Sequence, residues 1–556
     1  MDADNFPGFA SVQSRLFAAK YLSFFLLAAT LAAAPPYDVV VYGATAGGVI
    51  AAVSAAREGL NVVLLEPGHH VGGMVTGGLS RTDYGKKEVI GGYALEFFWR
   101  MGLKYDLIRH GQEVSWLFEP HVAEQAFREM LDQSHVQVLY NHRLREKGGV
   151  SKDAARIVGI ITEDGEVFTA QVFMDASYEG DLMAQAGVSY TVGRESTAQY
   201  GESLAGVRAR TPLHQFLVDV SPYDAGHALL PEVSADPPGT AGSADNKVQS
   251  YNFRMCLSSD PANQVPFPQP PGYNPHRYEL LARLINAETE AWGRPLVLND
   301  VTTVVRIPGN KTDINNRGAF STDYIGKSWE YPEASYQRRA EIWEDHVNYT
   351  KGFFYFLAND PSVPAELRND VNTWGLAKDE FVDTGNWPNQ LYVREARRMV
   401  SDFVMTQKDL QTDLRKADVI GMGSYNSDSH NVYRFANQVG FAENEGDMQI
   451  GVTPYQIPYR IMVPKQAQAA NLLVPVCFSA SHAAYSSVRM EPQYMILGQA
   501  AGVAARLAID ENRPVQQVDI TALQARLRQQ GAIFEYVPDP HTRTFDLLRK
   551  RPTTKP

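Results

Sequence analysis

The stretch VVVYGATAGGVIAAVSAAREGLNVVLLEP, from Val39 to Pro67, constrains the fold more than any other part of the chain. DVVVYG is a β-branched apolar run, as suits a strand buried on both faces of a parallel sheet, and Gly43 ends it. From Gly47 to Glu58 the residues are mostly Ala and Val with little polar face, which predicts a helix packed against the sheet; Gly59 stops it. NVVLLE supplies the next strand and closes a βαβ unit.

A dinucleotide fingerprint G-x-G-x-x-G needs glycine at 43, 45 and 48, and the chain has Gly43, Thr45 and Gly48, with Ala46 and Gly47 between. Thr45 adds a Cβ where backbone comes closest to a diphosphate, but its hydroxyl can donate to a phosphate oxygen. The helix N-terminus offers unpaired N–H groups and a positive dipole end. Glu66 closes the second strand at the usual separation of about 20 residues, where a carboxylate accepts ribose hydroxyls and repels a 2′-phosphate. NADP is therefore disfavoured.

The segment that follows chooses between NAD and FAD. GHHVGGMVTGGL (Gly68 to Leu79) is a long glycine-rich loop, of the kind flavoproteins lay against the ribityl chain and ring system. Gly72, Gly73, Met74, Thr76, Gly77 and Gly78 are its expected contacts, and His69 and His70 are expected as exposed loop residues. VQVLYNHRLRE, RIVGIITEDG and EVFTAQVFMDAS predict a three-stranded β-meander that returns to the parallel sheet. Leu144 in that meander and the turn Asp175, Ala176, Ser177 are further expected cofactor contacts. Towards the C-terminus LLVPVCF predicts a buried strand, and Pro492 to Ala508 a helix opening on proline. Its first amides, near Met490 and Glu491, would face the flavin and stabilise the anionic reduced ring.

With these pieces assembled the chain resembles the FAD-dependent oxidoreductase family, some of whose members carry the label xanthan lyase. The resemblance runs from Tyr37 to about Ala508 and rests on YGATAGG, VGGMVTGGLSRTD, DASYEGDL with GRES, YNFRMCL, DINNRGAFSTDY, LYVREARRM, GMGSYNSDSHNV and SASHAAYSSVRMEPQYMILGQAAG. It implies an α/β fold of the glutathione-reductase type: a Rossmann-like FAD-binding domain, parallel sheet plus β-meander, carrying a large inserted α+β substrate domain. The expected FAD-binding parts are 37–200 and 455–525, with the insert at 201–454 and a loosely held tail at 526–556. Tyr178 departs from the Ala-Thr-Gly turn usual near a flavin, as does Ser177.

A flavin that oxidises an alcohol or amine takes a hydride while a base removes the heteroatom proton and a cation orients the substrate. His482 and His430 are the candidate bases and Arg489 the candidate cation; Arg394 and Arg397 fall on an expected helix, YVREARRM. Tyr425, Asn426 and Asn431 suit a small polar substrate, such as a carbohydrate or a related metabolite. The electron acceptor is left open between oxygen, quinone and cytochrome. Two other functions fit the same residues: reduction of an activated C=C bond with an arginine as proton donor, and a non-catalytic FAD-binding protein.

Composition narrows the partners. A formal net charge of -12 disfavours nucleic acid. Arg15 and Lys20 precede an apolar run, Tyr21 to Ala34, which predicts a signal peptide at 1–34 and export to a periplasm or beyond the cell. No later run reaches about 18 apolar residues, so stable membrane insertion is not expected. Cys256 and Cys477 sit in apolar contexts and are expected as buried free thiols, and no spacing suggests a metal site.

Overall fold

The computed structural model describes residues 37–538, so the expected signal peptide and the last part of the expected tail lie outside the described residues. β1 (Tyr37–Tyr42), α1 (Ala46–Arg57) and β2 (Val62–Glu66) follow as the opening stretch predicts. Val39, Val40 and Val41 expose no surface, because the sheet is covered on both faces. Next come α2 (Gly92–Lys104), α3 (Pro120–Gln133) and β3 (Gln137–Tyr140). β4 (Val150–Asp153), β5 (Arg156–Ile161), β6 (Val167–Phe168) and β7 (Ala170–Asp175) complete the first part.

The meander differs from the expected one. VQVLY pairs in parallel with β2 as the edge of the main sheet, and the meander is β4, β5 and β6. Its first strand, VSKD, is almost wholly exposed and too polar for hydrophobic alternation to reveal it.

The insert carries an antiparallel sheet of β8 (Met255–Ser258), β9 (Gln264–Val265), β10 (Thr302–Ile307), β11 (Lys311–Asn316) and β12 (Gly375–Ala377), in the order β9-β12-β8-β11-β10. Helices α4 (Glu279–Trp292) and α5 (Tyr336–Asn359) belong to this part. Tyr251, Phe253, Tyr331, Phe353 and Phe354 are buried and fill its core.

LYVREARRM is not helical. It runs extended, and Arg398–Met399 pairs antiparallel with Tyr190–Thr191. Its arginines each reach a carboxylate on another segment: Arg394 to Asp323, Arg397 to Asp181 and Glu333, Arg398 to Glu195 as well as to Glu395 within the segment itself. A helix would stack Arg394 and Arg398 on one face and could not serve these dispersed partners.

The chain then returns to the first domain with β13 (Leu472–Leu473), α6 (His482–Val488), α7 (Glu491–Asp510) and α8 (Ile520–Gln529). Only two residues of LLVPVCF pair, in parallel with β7, giving the sheet order β13-β7-β1-β2-β3. α7 crosses α1 backbone to backbone: a Cβ on Gly498 would lie 2.2 Å from the Gly47 carbonyl oxygen. α8 runs across the expected boundary at 525, and beyond it the Gly531 carbonyl accepts the Gly92 N–H at 2.9 Å while Phe534 is buried. Both cysteines are buried and free. Among the described residues no helix is long and apolar enough to cross a membrane.

Candidate active site

At the N-terminus of α1, Gly43 leaves the strand with φ +93°, a backbone setting that glycine adopts without strain. A Cβ on Gly48 would lie 2.0 Å from the Gly43 carbonyl oxygen, so the turn closes only with glycine there. Thr45 caps the helix: its Oγ1 accepts the Gly48 N–H at 3.1 Å and donates to the Ala176 carbonyl at 2.8 Å. Its hydroxyl proton is thus committed inside the protein and is not offered to a phosphate, contrary to expectation. The first-turn amides of Ala46 and Gly47 have no intrahelical acceptor and remain the donors at this end.

Glu66 sits where the fingerprint places it. Its two oxygens accept the N–H groups of Ala44 at 2.8 Å and Gly68 at 2.7 Å, and each keeps a lone pair for a ribose hydroxyl. Burial, opposed by those two amides, pushes its carboxyl up to about 7.

The glycine-rich loop packs more against protein than expected. A Cβ on Gly73 would meet the Tyr178 hydroxyl at 2.4 Å, one on Gly78 the Arg254 carbonyl at 2.0 Å, and one on Gly72 the Phe127 ring at 2.7 Å. A Cβ on Gly77 would strike the Gln390 side chain at 2.4 Å. Thr76 Oγ1 closes the loop on the Val71 carbonyl at 2.7 Å. His70 is half-buried rather than exposed, between Glu124 at 3.1 Å and Asp383 at 3.0 Å.

Tyr178, the departure from the flavoprotein turn, ties three segments together. Its hydroxyl accepts the Met74 N–H at 2.9 Å and donates to Glu491 Oε1 at 2.7 Å, joining the loop, the Asp175–Tyr178 turn and the start of α7. Asp175 organises that turn by accepting the N–H groups of Ser177 at 3.1 Å and Met183 at 2.7 Å; burial raises its carboxyl to about 6. Leu144 has both backbone groups taken by tyrosine hydroxyls, its N–H by Tyr42 at 3.1 Å and its carbonyl by Tyr336 at 2.9 Å. Its side chain is fully buried in the hydrophobic core.

The first turn of α7 holds three buried polar atoms without hydrogen-bond partners: Glu491 Oε2 and both amide atoms of Gln493. Unsatisfied buried groups cost about 1–3 kcal/mol each, so a cluster at a helix N-terminus, next to the Met490 cap, marks a place for a polar ligand. Burial pushes the Glu491 carboxyl up to about 8. Together, the two helix N-termini, the ribose acid Glu66 and these atoms form a donor and acceptor set that fits FAD.

Beside this point a polar cavity of about 130 Å³ is lined by Asp83, Arg254, Tyr392, Tyr425, Asp428 and His430, among others. Arg489, two residues before Glu491, donates to the Tyr392 hydroxyl at 3.0 Å and the Asp428 carbonyl at 2.7 Å. His430 shares Nδ1 with Asp323 at 2.7 Å, and its Nε2 lies 3.6 Å from Asp428. Burial and Arg394 oppose charge on this ring, but Asp323 and Asp428 outweigh them and raise its pKa. Asp428 is held down at about 2 against burial, by His430 and Arg489.

The structure thus brings His430 and Arg489 together at Asp428. His482 lies elsewhere: Nδ1 meets Glu395 at 2.8 Å, within a buried group that includes Arg398 and Glu195. Burial, then Arg398 and Arg194, lower its pKa to about 3, and it does not line the cavity beside Arg489. Tyr425 lines the cavity, Asn431 is buried beside it in sequence and Asn426 is exposed. Asp83, Arg254, Asp323, Tyr392 and Asp428 were missed from the sequence as functional residues, although each falls inside one of the segments that carry the family resemblance. Among the described residues two His-carboxylate clusters also occur; in one, Glu119 and Glu380 with His121, the Lys311 ammonium lies 2.7 Å and 2.6 Å from the two glutamates.

No match is found among curated proteins. Among solved structures, Thermovibrio ammonificans THI4 is similar over 34% of this chain and 76% of its own, at 17% identity and a TM-score of 0.21. L-proline dehydrogenase from P. horikoshii matches over 29% of this chain and 58% of its own, at 14% identity and a TM-score of 0.23. L-amino acid deaminase from Proteus vulgaris matches over 30% and 63%, at 19% identity and a TM-score of 0.22. The chain thus spans under two thirds of the latter two, and likenesses this slight assign no residue a role. The profile of the FAD dependent oxidoreductase family, by contrast, matches residues 38–527. The chain belongs to the FAD dependent oxidoreductase family, and FAD is its cofactor.

Proposed function

We propose that this oxidoreductase removes a hydride from a C–H bond next to O or N of a small polar substrate, related to carbohydrates, held in the cavity beside Arg489. The observation that supports this is convergence. Asp83, Arg254, Tyr392 and His430 come from four segments far apart in sequence, and all four line one cavity. Bound FAD supplies the two-electron acceptor. Arg489, fixed by Tyr392 and Asp428, orients the substrate oxygen or nitrogen. His430, with its Nδ1 proton held on Asp323, accepts the heteroatom proton at Nε2. The lining of carboxylates, amides and hydroxyls suits a polyhydroxylated molecule.

The reverse chemistry, reduction of an activated C=C bond, would require Arg489 to give up a proton. Against burial, Tyr392 and Asp428 push its pKa above the usual arginine value, which disfavours that role. The N-terminal run Tyr21 to Ala34 supports export. Oxygen, quinone or cytochrome then takes the electrons.

The test is anaerobic mixing of FAD-loaded protein with a panel of sugars, polyols and amino compounds. At least one should bleach the visible flavin band. If none does, and the photoreduced protein is instead reoxidised rapidly by an activated alkene, the oxidative reading fails. Reoxidation by oxygen, a quinone analogue or cytochrome c identifies the acceptor class.

A further inference from the structure

The proline-rich segment VPFPQPPGYNP plays no part in the site above, yet it walls a second cavity, of about 320 Å³, in the insert. That volume falls in the range of small-molecule pockets, about 300–1,000 Å³. Pro270, Pro271 and Tyr273 form one side; Glu232, Arg277 and Asn348 form the other. The Tyr273 ring is braced edge-on by Tyr355, with centroids 4.9 Å apart at 76°.

The polar side has unmet hydrogen bonds. The Glu232 side chain is only 6% exposed; its Oε1 accepts Arg277 Nε at 2.8 Å, while Oε2 has no hydrogen-bond partner. The Lys327 ammonium lies 3.7 Å from Oε2, beyond hydrogen-bond length. Asn348 Oδ1 is likewise buried and unpartnered. Arg277 also pairs with Asp345 at 2.9 Å.

Charge decides the ligand class. Glu232 and Asp345 balance Arg277 and Lys327, so a charged ligand gains no net attraction here. What is missing is hydrogen-bond donation to two acceptors, next to a flat aromatic and proline wall. Hydroxyl groups supply donors without charge, and the C–H face of a pyranose packs on an aromatic ring. We propose that this cavity binds a neutral sugar ring, with hydroxyls donating to Glu232 and Asn348 and its apolar face on Tyr273. The site is separate from the cavity beside Arg489 and does not depend on the proposed reaction.

The test uses FAD-loaded protein and a panel of glucose, galactose, mannose, N-acetylglucosamine, maltose and cellobiose, with binding read by saturation-transfer NMR. At least one sugar should bind at millimolar concentration or below. Tyr273→Ala and Asn348→Ala should each weaken it on the order of tenfold, with the visible flavin spectrum unchanged. The unchanged spectrum shows that the variants fold. The proposal is overturned if no sugar in the panel binds, if both variants bind as well as the parent, or if benzylamine or acetate binds this cavity in preference to every sugar. Because binding is read without turnover, failure of the proposed oxidation leaves this result intact, and the reverse also holds.

Discussion

Gly48 has room for a hydrogen and nothing larger. A Cβ there would stand 2.0 Å from the Gly43 carbonyl oxygen, so Gly48→Ala must open the turn that presents the first-turn amides. The expected result is a protein that loses about 1–3 kcal/mol of stability and most of its FAD, read as visible absorbance per mole after reconstitution. His430 carries a different expectation. Because Asp323 and Asp428 raise its pKa, it must lose a proton before it can act as a base, and turnover on a substrate found in the panel should rise with pH through and above the ordinary histidine range. His430→Gln should lower kcat by roughly 10²–10⁴ and abolish that limb of the profile. An unchanged profile would remove His430 from the chemistry. Gly43, Gly48 and Glu66 were legible because the fingerprint is local and its spacing follows from one strand, one turn and one helix. The partners of His430 were not, since Asp323 and Asp428 acquire meaning only when separate loops meet.

Between elements, several segments meet through buried ion pairs. Arg398 is fully buried between Glu195 and Glu395, and the latter also holds His482. Removing one partner of such a group leaves uncompensated charge and typically costs about 3–5 kcal/mol. Arg398→Ala should therefore lower the thermal midpoint of the FAD-loaded protein markedly, while Arg338→Ala, on an exposed pair with Glu330 and Glu341, should leave it nearly unchanged. Differential scanning calorimetry separates the two. These pairs also explain what periodicity could not show. LYVREARRM has helix-forming composition, but its arginines are drawn to carboxylates on different elements, and tertiary pairing overrides local propensity. The strand VSKD escaped notice for the opposite reason, being paired in a small meander with almost no buried face. The strands and helices of the βαβ unit were legible because their apolar runs are continuous.

At the scale of the whole molecule, several buried carboxyls share one direction of shift: Asp175 at about 6, Glu66 and Asp447 at about 7 and Glu491 at about 8, with burial the leading cause in each. A carboxyl whose folded pKa is raised contributes stability that is complete below its unfolded pKa and is lost as pH rises through the folded value. The thermal midpoint of the FAD-free protein should accordingly fall from about pH 5 to about pH 8. Glu491→Gln should fall less steeply over the same range, the gap widening towards pH 8; parallel curves would show that Glu491 does not titrate there. That a late strand pairs with β7 in the first sheet was legible from the two ends of the resemblance, whereas the cavities were not, because their walls come from loops without periodicity.

The contact of Gly47 with Gly498 has a consequence for how the protein comes into being. One half of the seat for the dinucleotide is synthesised among the first residues of the folded body and the other among the last. A nascent chain that binds FAD at these two helix ends has no complete place for it until α7 has emerged.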